Sequence, residues 1–125
     1  MVKAKYQSVL DLGEQLNIQD GDVQIVGNKL EVRGTAANQY HKDLIWDEIK
    51  KVGGENPADI MADIKVADTS VYAQHTVESG ESLSKIAKHY YGDPMKYTAI
   101  FNANRNILDN PDLIHPGQDL VIPNL

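Results

Sequence analysis

The chain has 125 residues, 42% of them hydrophobic and 24% charged, with no cysteine. This composition fits one ordinary soluble domain or two small ones, and it excludes disulfides, thiolate metal sites and thiol nucleophiles. Eighteen acids against twelve bases give a formal net charge of −6, which argues against nucleic-acid binding because phosphate recognition needs a concentrated basic face.

The acidic excess is shared. Residues 1–70 carry twelve acids and eight bases, and residues 71–125 carry six and four, so neither part is a hidden basic module. The opening segment MVKAKYQSVLDLGEQL has no apolar run of secretory-signal length. Nothing approaches the roughly 20 apolar residues of a membrane span. With Met1 as the native start, the expected location is the cytoplasm, with no membrane partner.

In chain order, Tyr6, Val9, Leu10, Gly13 and Leu16 share one face of a helix over Lys3 to Leu16. The run IQDGD breaks it, with Asp20-Gly21 as the turn signal. VQIVGNKLEVRG predicts a hairpin, with Val23 and Ile25 alternating before Gly27-Asn28 and Leu30 and Val32 after it. Asn38 is a candidate cap for a second helix, whose stripe is Tyr40, Leu44, Ile45, Ile49 and Val52. Gly53-Gly54 ends that helix and Pro57 forbids its continuation. Ile60, Met61, Ile64 and Val66 suggest a closing strand. Trp46 reads as a core or domain-interface anchor.

The polar bridge ADTSV, residues 67–71, is the preferred boundary. Beyond it, His75-Thr76-Val77 is strand-like, and Leu83, Ile86, Ala87 and Tyr90 form a helical stripe closed by Gly92. Asp93-Pro94 restarts a helix, with Tyr97, Ile100 and Phe101 on its inner face. A loop rich in Asn, Asp and Pro leads to a last strand at DLVIP. The expected class is α+β: αββαβ over residues 1–70, then βααβ over 71–125. The two halves differ in order, so there is no internal repeat.

Three stretches of the second half, HTVESGESLSKIAKHYYGD, IFNAN and IHPGQDLVIP, together resemble a LysM domain over about fifty residues. The first half, with LEVRGTA and its helix–hairpin–helix–strand order, more loosely resembles a BON domain. The resemblance to LysM implies a non-catalytic module that binds N-acetylglucosamine-containing glycans such as peptidoglycan or chitin. It places contacts at Gly80, Glu81, Ser82 and Leu83, and at Asn106 and Ile107 through Leu113 and Ile114. Ile107, Leu108 and Ile114 are the candidate exposed apolar contacts. Simpler roles stay open: Ser82 as a helix cap, Gly80 as a positive-φ turn residue, Glu81 as a solvated acid, and Ile107 and Ile114 as core.

BON followed by LysM is also similar to a bacterial cytoplasmic family with potassium-binding members. The first residues here already belong to the predicted helix, so the leading segment of the potassium-binding members is expected to be missing or very short, and a cation site that uses that segment is not expected. Potassium needs no side-chain motif, because carbonyl oxygens coordinate it. The loop Val52-Gly53-Gly54-Glu55-Asn56-Pro57, at a helix C-terminus, is the candidate, against an ordinary glycine-ended helix. No transition-metal site is expected. His75, His89 and His115 show no ligand spacing.

Enzyme readings have little support, because Asp20/Asp22 and Asp109/Asp112 lie in turn-forming runs and no GxSxG elbow occurs. The expected function is therefore glycan binding without catalysis or cofactor. A potassium-binding protein and a protein–protein adaptor are the alternatives.

Overall fold

Strand β2 (Lys29–Ala36) is the axis of the first half, in a computed structural model that describes residues 2–125. Its burial alternates, with Leu30, Val32, Gly34 and Ala36 turned inward, as a half-buried strand requires. Strand β1 (Gln19–Val26) pairs with it antiparallel through the two-residue Gly27-Asn28 turn, where Gly27 has φ of 63°. Strand β3 (Ile60–Val66) lies parallel on the other side, giving the order β1–β2–β3.

Parallel pairing needs a crossover, and helix α3 (Gln39–Gly53) supplies it. The Asn38 side chain caps α3 by accepting the His41 N–H at 2.9 Å. The amino-terminal helix is in two pieces, α1 (Val2–Lys5) and α2 (Gln7–Gln15), interrupted at Tyr6. Tyr6 and Val9 from these helices, Leu30, Val32 and Ala36 from β2, Ile45 and Ile49 from α3, and Ile60 and Ile64 from β3 form the core. Trp46 and Val52 pack against this core, half-buried, so Trp46 has a place within the first half.

One expectation needs correction here. Asp20-Gly21 is no turn between elements. It lies inside β1 as a bulge, with the register shifting between Gln19 and Asp22 and Asp20 at φ of 53°. Gly34 makes room for it, since a Cβ there would strike the Ile18 side chain and come within 3.4 Å of the Gln19 carbonyl. Val23 and Ile25 alternate along β1 as the hairpin pattern predicts. They sit opposite Val32 and Leu30, on the inward side of the sheet, yet stay 42% and 46% exposed because the helical layer does not reach the edge strand.

The chain divides into two compact units, Met1–Thr69 and Ser70–Leu125. In the second, β4 (Val71–Thr76) and β5 (Asp119–Pro123) pair antiparallel. Between them run α4 (Leu83–Tyr91), a 3-10 turn at Pro94–Lys96 and α5 (Tyr97–Ala103). The first strand begins four residues before the expected His75, since Val71 already pairs with Pro123. Leu83, Ile86, Ala87, Ile100, Leu108, Leu120 and Ile122 are buried.

A two-stranded pair is marginal without further support. Asn104, 2% exposed, provides some of it. Its amide donates to the carbonyls of Ile100 at 2.7 Å and Val121 at 2.8 Å, and its oxygen accepts the Val121 N–H at 2.9 Å. The end of α5 is thereby fastened to β5. Asn104→Ala leaves buried groups unpaired and is expected to destabilise the protein by about 2–3 kcal/mol, read as a lower denaturant midpoint at unchanged slope.

Candidate functional site

The turn Glu78–Ser82 joins β4 to α4. Gly80 is exposed at φ of 86°, a conformation that favours glycine. The Ser82 hydroxyl accepts the Lys85 N–H at 3.2 Å, so it caps α4. Glu81 is held rather than free. Its Oε1 accepts the Glu78 N–H at 2.6 Å and lies 2.8 Å from His75 Nε2. With Glu81 ionised, Nε2 carries the proton and donates, while His75 Nδ1 lies 2.8 Å from the Tyr90 hydroxyl. Burial pushes the Glu81 carboxyl up, but the His75 and Glu78 hydrogen bonds outweigh it and hold the group below its ordinary range.

The second loop follows Asn104. Asn106 is exposed, Ile107 is 44% exposed and Leu113 60%, while Ile114 is half-buried. The Ile107 N–H donates to the Asn104 carbonyl at 3.0 Å and the Leu113 N–H to the Asn110 carbonyl at 3.0 Å. These two residues therefore offer aliphatic groups rather than free donors. Two candidate contacts change role. Leu83 and Leu108 are each 2% exposed and belong to the core, because the α4 stripe and the closing loop need them there. Ile107 is not a core residue.

In the first unit, α3 stops at Gly53, and Gly54 turns away at φ of 89° and ψ of −179°. The Gly54 N–H donates to the Lys50 carbonyl at 2.8 Å. Among the described residues, no amide beyond it returns to the carbonyls of Lys51, Val52 or Gly53. Pro57, four residues after Gly53, has no N–H to offer. Val52, Gly53 and Pro57 are half-buried, while Gly54, Glu55 and Asn56 are exposed. This helix end carries partial negative charge on its carbonyls. A Cβ on Gly53 would strike the Tyr6 hydroxyl and lie 2.9 Å from Pro57 Cβ.

The Tyr6 hydroxyl donates to Asp59 Oδ1 at 2.5 Å, and the Lys5 ammonium meets Asp59 Oδ2 at 2.6 Å. Hydrogen bonds from Lys5 and then Tyr6 hold Asp59 below the usual carboxylate range, whereas burial and then Asp59 push Tyr6 up to about 12.

No cluster of three His, Asp or Glu side chains suited to a metal ion occurs among the described residues. Nor is any helix there long and apolar enough to cross a membrane. A cleft of about 440 Å³ lies between α2 and the β1 edge, lined in part by Leu10, Val23, Val32 and Ile45. None of the residues singled out from the sequence for binding lines it.

The LysM domain model matches residues 75–123. The potassium binding protein Kbp of Escherichia coli O6:H1 is 38% identical over 117 residues, covering 88% of this chain and 77% of Kbp. The chain belongs to the Kbp family. An uncharacterized protein of Deinococcus radiodurans is also 38% identical, over 136 residues and 98% of this chain. The chain spans about half, 51%, of that relative's length.

Within this Kbp-family chain, sequence reasoning reached both loops but missed what fastens them. His75 stood in the quoted motif, six residues before Glu81, a strand-to-turn spacing that brings the two together. Tyr6 was visible as the one aromatic residue of the first helix. Asp59 carried no local signal.

The Glu81 bonds have a pH consequence. A folded-state carboxyl held below its ordinary value of 4.5 contributes stability that is present above that value. This stability is lost as pH falls through the depressed folded value. Glu81→Gln should therefore flatten the acid limb of the stability curve below about pH 4.5, measured by urea unfolding across pH 2–6.

Proposed function

We propose that this protein binds potassium without catalysing a reaction, through backbone carbonyls at the end of α3. The observation that carries the reading is the helix terminus at Val52-Gly53-Gly54. There, carbonyl oxygens lack returning amides beside a proline that has none. Neutral carbonyl oxygens in an irregular loop suit a large, weakly hydrated monovalent cation, and no cluster of carboxylates is needed. Lys51, Val52 and Gly53 would present these oxygens, and Glu55 would add nearby negative charge. Membership of the family of a protein named for potassium binding supports the same reading.

An ion that binds the folded state alone raises the melting temperature by mass action. The expected result is a melting temperature that rises with potassium chloride and does not rise with sodium chloride at matched ionic strength. Equal melting in the two salts would remove this reading. Gly54→Ala forces a side chain into a backbone conformation suited to glycine, and should abolish the potassium response at a cost of about 1–3 kcal/mol in sodium.

A second reading is favoured by the exposed Ile107 and Leu113 in a LysM domain. These aliphatic groups and the open Gly80 turn suit the acetyl group and ring face of an N-acetylglucosamine glycan. On this reading Glu81 and Ser82 shape their turn instead of contacting the sugar, and Leu83 contributes its backbone alone. Titration with a chitin oligosaccharide should shift the amides of Gly80–Leu83 and Asn106–Ile114, and unchanged spectra at millimolar sugar would exclude it. The first unit is read as BON-like on its element order, and the cytoplasm as the compartment.

A further inference from the structure

Tyr6 is fully buried, yet its hydroxyl is turned to a half-exposed carboxylate at the edge of the α3 loop. A tyrosine that served packing alone would have no need of that bond, since phenylalanine fills nearly the same space. The bond belongs to a chain of contacts that leads to the helix end. The Leu30 N–H of β2 donates to the Asp59 carbonyl at 2.9 Å, fixing Asp59 to the sheet. The Asp59 side chain holds the Tyr6 hydroxyl and the Lys5 ammonium. The hydroxyl in turn lies against Gly53, where the Pro57 ring closes the other side and no methyl group fits.

We propose that Tyr6 and Asp59 are positioning residues that fix the α3 loop to the sheet and thereby set its preference for potassium over sodium. The proposal rests on the potassium reading above and concerns what holds the carbonyls, not which carbonyls coordinate. A carbonyl site favours the larger ion when its backbone does not close around the smaller one. The loop from Gly54 to Pro57 has no regular structure of its own, so its resistance to closing comes from its two fixed points, Gly53 against Tyr6 and Asp59 on β2. The residues also account for why the position after Val52 is glycine. Any side chain there would displace the hydroxyl from Asp59.

The test uses the full chain and three variants: Tyr6→Phe, Asp59→Ala and Asp59→Asn. Tyr6→Phe keeps the ring and loses the hydroxyl. Asp59→Ala, at a half-exposed position, removes the acceptor without a core substitution. Asp59→Asn restores an acceptor for Tyr6 without the charge. Melting is followed in potassium and sodium chloride at matched ionic strength, and hydrogen exchange at Gly54 and Glu55 is followed in sodium alone.

Tyr6→Phe and Asp59→Ala should each reduce the potassium–sodium difference by more than half and speed exchange at Gly54 by about tenfold. Asp59→Asn should retain most of the difference. If both of the first two variants lower melting equally in the two salts, leaving the wild-type difference intact, the positioning role is overturned and the bond is structural alone. A wild-type chain indifferent to the ion overturns the cation reading instead, so the two failures are distinguishable.

Discussion

The parallel pairing of β3 with β2 constrains the first unit more than any other contact. Two neighbouring strands that run the same way cannot be joined by a tight turn, so the chain must return the length of the sheet outside it. Helix α3 makes that return, and its length fixes where its last carbonyls fall, at the end from which β3 sets out. Ile45 and Ile49 bind the helix to the sheet, and Gly53 ends it against Tyr6. The candidate cation loop is thus a consequence of the topology. A crossover helix must stop, and the chain must turn back to enter β3 at Ile60.

The second unit is organised around a different difficulty. Its sheet has two strands, too few to be stable without other support. Helices α4 and α5 cover it with Leu83, Ile86 and Ile100, and Asn104 joins the end of α5 to the backbone of β5 through two hydrogen bonds to Val121, while a third holds its amide to Ile100 within α5. A buried amide with every bond made specifies register as well as adding stability. Holding β5 in this way leaves the preceding loop free to carry Ile107 and Leu113 in solvent. Exposed aliphatic groups on a well-fastened loop are a feature that a sugar-binding module can use.

Polar side chains at both candidate sites mostly hold the backbone in place. Glu81 engages His75 and the Glu78 amide, Ser82 caps α4, and Asp59 engages Tyr6 and Lys5. What remains to meet a ligand is backbone carbonyl and aliphatic surface, which suits a weakly hydrated monovalent cation or a neutral sugar better than an anion. The overall charge of −6 agrees with a cation as partner and disagrees with an anionic polymer.

Much of this was decided by the sequence alone. The LysM motifs, the Asn38 and Ser82 caps, the Gly27-Asn28 hairpin and the end of α3 at Gly53-Gly54 are local features. They depend on backbone preferences and on side chains bonding within three or four residues. Tertiary structure decided the rest. That Asp20-Gly21 is a bulge depends on Ile18 meeting Gly34, and that Val23 stays half-exposed depends on where the helical layer ends. Leu108 is core while Ile107 is surface, because burial depends on which elements pack around a residue. Asp59 reaches Tyr6 across 53 residues of chain, and no local pattern encodes a contact that exists only when separate elements meet.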